Sequence, residues 1–271
     1  LSTISSGTET YTNSSLTNGT LYYYRISAVD NAGNESSKTS DVNSYPTDGN
    51  YSLSFDGSDD YVGIPHSEDL NFGANIPMSI SFWMNRNTSG EMHHLGKRAG
   101  QNNCSFQIAG TGNNVGIGSS NNWDVLSITS PHALTNTWTH VVFTFDGDIM
   151  IGYIDGTAID NASGSTLGPT STASLMIGGL NYGAKSNGKF DEVAIWNEAI
   201  TAAEITALYN SGTALDARTN AGDYSSTDNL KGYWKMEDGS GTTLTDVSGY
   251  ANDGTINGAS WTTGVLSTSY D

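Results

Sequence analysis

Apolar and polar residues alternate through most of this chain in short phrases. YSLSFDGSDDYV (51–62), SISFWMN (79–85), WTHVVFTFDG (138–147), IMIGYIDG (149–156), SLMIGG (174–179) and KFDEVAIWN (189–197) each place apolar side chains at nearly every second position. That period turns one face of a strand to a core and the other to solvent. Most phrases end in Asp-Gly or Gly-Gly, which supply the positive φ angles of tight hairpins. The pattern predicts an all-β protein, an antiparallel β-sandwich. One segment departs from it. ITAAEITALYNSG (200–212) has a capping box, Thr201 with Glu204, and a Gly stop at 212, which predicts one short helix.

The phrases divide the chain into a first unit over 1–46, a linker over 47–50 around Pro46 and Asp48-Gly49, and a main unit over 51–271. In the first unit, Tyr22, Tyr24, Ile26 and Ala28 share one strand face. Residues 213–229 are polar and read as a surface crossing, after which strand phrases resume between 230 and 262.

Residues 16–36 resemble the C-terminal part of a fibronectin type III domain, with Leu16, Gly19-Thr20, Tyr22, Tyr24-Arg25-Ile26, Ala28-Val29-Asp30 and Gly33 carrying the likeness. Tyr22 stands at the tyrosine corner of that immunoglobulin-like fold. Only about three strands of such a domain are present, so either the remainder is expected upstream in a longer, processed polypeptide or the segment packs on something else. Residues 51–262 resemble the concanavalin A-like, laminin-G-like jelly rolls of bacterial extracellular proteins. The phrases that carry this are LSFDGSDDYVGIPHSEDLNF, MSISFWMN, NTWTHVVFTFDGDIMIGYIDGTAI, SLMIGGLNYGAKSNGKFDEVAIWNEAITAAEITALYNSG and GYWKMEDGSGTTLTDVSGYANDGTINGASW. The last phrase usually opens such a domain and here closes it: either it begins a following copy, or, the favoured reading, the jelly roll is permuted and its final strands fill the place of the opening ones. The resemblance implies a non-catalytic recognition or adhesion module for glycans or cell-surface proteins, often with bound Ca²⁺.

The chain carries 28 acidic and 10 basic residues in 271, a formal charge of −18. That argues against nucleic-acid binding and against docking on anionic membranes, both of which need clustered Lys and Arg. No run of 18 apolar residues predicts membrane insertion. Cys104 is alone, so neither a disulfide framework nor a cysteine zinc site is expected. Sparse Lys with abundant Ser, Thr and Asn suggests an extracellular or cell-surface setting, bacterial or phage.

Ca²⁺ wants six to eight oxygens from carboxylates, Asn side chains and loop carbonyls. Asp246, Asn252 and Asp253 offer these within one Gly-containing loop, and Asp191 on a neighbouring strand is placed to join them. The competing reading is a turn whose Asx side chains bond backbone amides. Asp56, Asp59 and Asp60 form a second acidic cluster, either a hairpin or another cation site. Glu91, His93 and His94 lack a third nearby His and do not suggest a transition-metal site; Lys97-Arg98 reads as a solvated loop.

Glycan binding by a sandwich calls for exposed aromatic rings beside polar groups. Trp123, with Asn122 and Asp124, and Tyr182, beside Asn181 and Asn187, are the loop candidates, against the alternative that each anchors its loop to the sheet. Trp83, Trp138, Trp196 and Trp234 lie in strand phrases and are expected in the core. A glycosidase needs two carboxylates across a cleft. Asp191/Glu192 and Glu237/Asp238 are adjacent in sequence and would point to opposite strand faces, so no catalytic residue is expected. Two further roles stay open: a structural or assembly subunit of a surface fibre, adhesin or phage appendage, with homo-oligomeric contacts, and an accessory domain of a polysaccharide-degrading enzyme.

Overall fold

The computed structural model describes residues 22–44, 49–100, 103–119 and 125–265. They form two compact units, divided between residues 48 and 49. In the smaller one, β1 (Tyr22–Tyr24) pairs antiparallel with β2 (Val42–Ser44). Ile26, set on the predicted strand face, is exposed there, as is Val29.

The larger unit runs β3 (Tyr51–Asp56), β4 (Tyr61–Ile64), β5 (Met78–Arg86), β6 (Met92–Gly100), β7 (Asn103–Thr111), β8 (Asn114–Gly118), β9 (Leu126–Thr129), β10 (Thr139–Phe145), β11 (Met150–Ile154), β12 (Thr157–Ala162), β13 (Leu175–Ile177) and β14 (Asn187–Trp196). Helix α1 (Ala202–Tyr209) follows, then β15 (Leu230–Trp234), β16 (Thr243–Leu244), β17 (Gly254–Asn257) and β18 (Ser260–Thr263). Two antiparallel sheets result. The first has the order β12-β11-β10-β5-β14-β3-β18, with β15 also paired to β14; the second has the order β16-β17-β4-β13-β6-β7-β8-β9.

Alternation explains how the sheets close on each other. Phe82, Phe143, Phe190 and Ile195 of the first sheet meet Val62, Leu95, Phe106, Ile117 and Ile177 of the second in one buried core. The C-terminal phrases belong to this same sandwich: β17 pairs with β4, β18 with β3, and Trp234 of β15 lies in the core. Trp83 and Trp196 are buried as well, whereas Trp138 is only partly buried.

The first sheet is buried on both faces. Its outward Val142, Tyr153, Ala194, Trp196, Leu230 and Tyr233 are covered by Ile205 and Leu208 of α1 and by Ala217 and Tyr224 of the following segment. Helix α1 starts at the expected capping box, with Thr201 accepting from Glu204 N and Glu204 accepting from Thr201 N. It ends earlier than expected. Asn210, at φ 44°, breaks it before Gly212, an αL position that Asn tolerates better than most residues.

The interior holds several titratable groups. His94 bonds Ser186 Oγ at 3.1 Å and His140 bonds Ser81 Oγ at 2.7 Å; burial brings both imidazoles down to about 3, for His94 with help from Arg86 and His93. Asp191 and Glu192 are buried side by side. Burial first, and each other's charge or neighbouring carboxylates next, push Asp191 well above the carboxylate range and Glu192 up to about 8, against the pull of Lys235 and the Tyr233 hydroxyl on Glu192.

These shifts set opposite slopes. Unfolded histidines take protons below about pH 6.5, so the stabilisation from keeping both neutral is complete above that and is lost as pH falls toward 3. The buried acids contribute stability that is present below about pH 4 and lost as pH rises through 8. The two slopes oppose each other between roughly pH 4 and 6.5, so the thermal midpoint should be nearly flat across that window and decline on either side of it in calorimetry. A midpoint still climbing at pH 9 would contradict the role given to the buried acids.

Candidate functional site

The outward positions of the second sheet differ in kind from those of the first. Gly63, Met176, Gly96, Gln107 and Gly118 are successive cross-strand partners and so share one side; His93, Ala109, Gly116 and Ser127 form the next such row. Apart from Met176, these side chains are small or polar where the first sheet carries Trp and Tyr.

The segment 178–186 folds back on this face. His93 N donates to Ala184 O, and Ser186 N to Gly178 O, both at 2.9 Å. Gly183, at φ 73°, passes so close to the His93 ring that a Cβ would stand 2.4 Å from Nε2. The fold-back brings Tyr182 over Arg98, whose Cζ lies 3.8 Å from the ring centroid, and against His93 at 4.8 Å between centroids. The Tyr182 hydroxyl bonds both Arg98 Nη1 and Gln107 Oε1, and burial pushes it up to about 12. Tyr182 is half-buried and points its polar end inward, as a loop anchor does. The Lys97-Arg98 pair is likewise not a solvated loop: both residues lie buried within β6, with Lys97 Nζ 3.0 Å from His66 Nδ1. Trp123, Asn122 and Asp124 lie outside the described residues.

Beside this face, the β3–β4 hairpin carries the acidic cluster. Ligand oxygens of Asp56, Asp59 and Asp60 lie within 4.8 Å of one another, and among the described residues no other group of three His, Cys, Asp or Glu does. Asp60 Oδ2 accepts from Asp56 N and Asp56 Oδ1 from Ser58 N, which leaves Asp59 exposed. Burial, then the charges of Asp56 and Asp59, raise the Asp60 carboxyl, although the Asp56 amide opposes this. The hairpin touches two neighbours. A Cβ on Gly57 would meet Asn187 Cβ at 2.8 Å, and Asn187 in turn accepts from Asn87 Nδ2 at 2.9 Å. Tyr61, next in the chain, presents its ring to Lys185 Nζ at 5.6 Å. Acidic hairpin, Asn pair, Tyr61 and Lys185 thus meet at one corner of the sandwich. Sequence reasoning overlooked Tyr61 and Lys185, since their meeting depends on the fold-back of 178–186.

The other acidic loop is a turn. Asp246 accepts from the amides of Tyr233, Ser248 and Asn252, each at 2.9 Å, and Asp253 Oδ1 accepts from Asp246 N at 2.8 Å. Asn252 Nδ2 is spent on Lys231 O. Asp191 bonds Val265 N and Glu192 N instead of joining that loop. In this loop Asp246 takes the alternative role, a turn whose side chain bonds backbone amides, and Asp191 is turned to Val265 and Glu192 and not brought to Asp246, Asn252 and Asp253.

A profile of the concanavalin A-like lectin/glucanases superfamily matches residues 56–206, more than half of the chain. The chain belongs to that superfamily. A comparison with curated proteins finds no match. Among solved structures, a "putative carbohydrate binding protein" from Bacteroides ovatus superposes with a TM-score of 0.58 at 17% identity, covering 94% of this chain and 72% of its own. A heptameric SAP-like pentraxin from Limulus polyphemus does so with a TM-score of 0.50 at 13% identity, covering 69% of this chain and 92% of its own. At these identities the superfamily's jelly-roll fold is what is shared.

The anchoring role of Tyr182 is testable. Tyr182→Phe keeps the ring and deletes the hydroxyl, leaving Gln107 Oε1 with Arg98 Nη1 as its partner. The variant should lose about 0.5–1.5 kcal/mol in denaturant unfolding. An unchanged midpoint would show that the hydroxyl holds nothing.

Proposed function

We propose that this chain is a non-catalytic carbohydrate-recognition module of an extracellular or cell-surface protein, and that saccharide binds at the corner formed by the β3–β4 hairpin, Tyr61, Lys185 and Asn187. The observation that carries this is the contrast between the two outward faces. The first sheet is sealed by α1 and its neighbours, whereas the corner of the second keeps carboxylates and a ring within reach of solvent. An aromatic ring flanked by hydrogen-bonding side chains suits the alternating apolar and hydroxyl surfaces of a sugar. Membership in a lectin/glucanase superfamily and the likeness to the Bacteroides ovatus protein support the same reading.

A non-catalytic role is supported by the fate of the paired acids. Asp191 and Glu192 are buried under the layer that covers the first sheet, beside a cavity the size of about one water molecule, where no sugar ring fits. Ca²⁺ fits the Asp56, Asp59 and Asp60 group by donor chemistry: three carboxylates crowd together, and a cation would relieve the repulsion that raises Asp60.

A glycan array probed in millimolar Ca²⁺ and again in EDTA tests the reading. Binding should appear, and Tyr61→Ala or Lys185→Ala should weaken it by about tenfold, roughly 1.4 kcal/mol. Affinity indifferent to both substitutions would move the site elsewhere on the domain. Calorimetric titration with Ca²⁺ should give a signal that Asp59→Asn removes; a signal retained in that variant would take the cation away from the hairpin.

An assembly role has one observation of its own. In the smaller unit Tyr23, Ile26, Val29 and Val42 are all more than 60% exposed, an apolar surface suited to a neighbouring module or subunit. Concentration-dependent sedimentation would favour it, and a strictly monomeric chain would count against it.

A further inference from the structure

The fold-back of 178–186 covers only part of the second sheet's outward face. Its Leu180 lies over β6, where a Cβ on Gly96 would meet Leu180 Cδ2 at 3.2 Å. Lys185 lies along the residues just after β13, since a Cβ on Gly179 would meet its Cδ at 2.4 Å. The Lys185 ammonium donates to Leu180 O, which ties the side chain back into its own segment. Among the described residues the cover stops there. Met176 of β13 is 5% exposed, whereas Gly63 of β4 is half-buried and Thr255 of β17 and Thr243 of β16 are exposed.

Register puts these open positions on one surface. Thr243 pairs with Thr255 and Thr255 with Gly63, so the three form one cross-strand row on the outward side. The inward side of the same strands is taken by Val62, Leu244 and Ile256, which lie in the core. Tyr61 and Asn257 pair two positions along, as the next outward row. The Tyr61 ring leans back over Gly63, where a Cβ would stand 3.5 Å from its Cε2, and no side chain at 63 props it off the sheet. Asn257 Nδ2 donates to Thr255 O at 3.1 Å, which holds the amide beside the row. The result is a shelf. Its wall is Lys185 and the fold-back; its floor is Tyr61 over Gly63, then Thr255 with Asn257, then Thr243.

Size and charge select the occupant. β4, β17 and β16 are neighbours in the sheet, and strands lie about 4.8 Å apart, close to the length of one sugar ring in an extended chain. One ring fits over each strand. The first meets an aromatic side chain and the others meet hydroxyl and amide groups, which suits the apolar and hydroxylated surfaces of a saccharide. The floor itself bears no charge. Carboxylates stand at its margins: Asp56, Asp59 and Asp60 just before Tyr61, and the exposed Asp238 and Asp253 beside β16 and β17. A polyanionic chain laid there would pass these groups on a protein whose formal charge is −18.

This rests on the saccharide reading above and deepens it. We propose that the shelf binds a neutral, linear glycan chain over about three of its units, laid across β4, β17 and β16. Tyr61 is the stacking residue, and Thr255, Asn257 and Thr243 supply the hydrogen-bonding subsites beyond it.

Calorimetric titration of the full chain with oligosaccharide ladders of one to six units tests this. Cello-, xylo-, manno- and malto-oligosaccharides are the neutral series and oligogalacturonides the anionic one. In a neutral series that binds, affinity should rise about tenfold from one unit to three and level off beyond. Oligogalacturonides of the same length should bind at least about tenfold more weakly. Replacing both threonines, Thr243→Ala with Thr255→Ala, should bring the trisaccharide down to the level of the monosaccharide. A monosaccharide bound as tightly as the hexasaccharide, by a site that Tyr61→Ala still weakens, would overturn the shelf and leave the corner standing. Tighter binding of the oligogalacturonides would overturn the neutral occupant. Failure of every series to bind, or binding indifferent to Tyr61→Ala and Lys185→Ala, would remove the saccharide reading at this corner and the shelf with it.

Discussion

The rest of the structure depends on the first sheet being apolar on both faces. Its inward side chains meet the second sheet, as in any sandwich. Its outward side chains include Trp196, Tyr153 and Val142, which cannot be left in water. Everything between Ile200 and Leu230 answers to that requirement. The helix, too short to be stable alone, persists because Ile205 and Leu208 lie on this face. The polar segment after it crosses the sheet and sets Ala217 and Tyr224 among the aromatics, with the Tyr224 hydroxyl accepting from Trp196 Nε1 and donating to Ala217 O.

Covering one face has consequences for charge. Groups that would be harmless on an exposed strand become buried when a second layer is laid over them. His140, Asp191 and Glu192 are such groups, and their shifted protonation follows from desolvation before any specific partner. Asp191 and Glu192, adjacent on β14, are thereby withdrawn from solvent. The second sheet differs: its outward glycines let the 178–186 segment settle against it and bring Lys185 to Tyr61.

Much of this was legible along the chain. Period-two alternation and Asp-Gly turns identify the strands and the sandwich, because each strand's faces are assigned locally by its own side chains. The capping box of α1 is legible for the same reason: Thr201 and Glu204 are three residues apart and need no third party. The acidic loops were harder. Asp246 and Asp56 occur in similar Gly-containing contexts, yet one accepts the amides of Tyr233 and Asn252 and the other stands with Asp59 and Asp60 in a close group of carboxylates. No local property separates them, since the deciding donors belong to other parts of the chain.

The amino-acid sequence alone therefore determined the class of fold, the strands, the helix start and the excess of negative charge, all set by neighbours along the chain. Only the tertiary structure decided that Lys97 and Arg98 are buried in a strand, that Tyr182 is an anchor, and that Asp191 and Glu192 share a face. Each of these depends on register: a one-residue slip in β14 turns a carboxylate from one side of a sheet to the other. Such a slip is fixed by the partners across the sheet and the layer above it, and those are known only once the chain has folded.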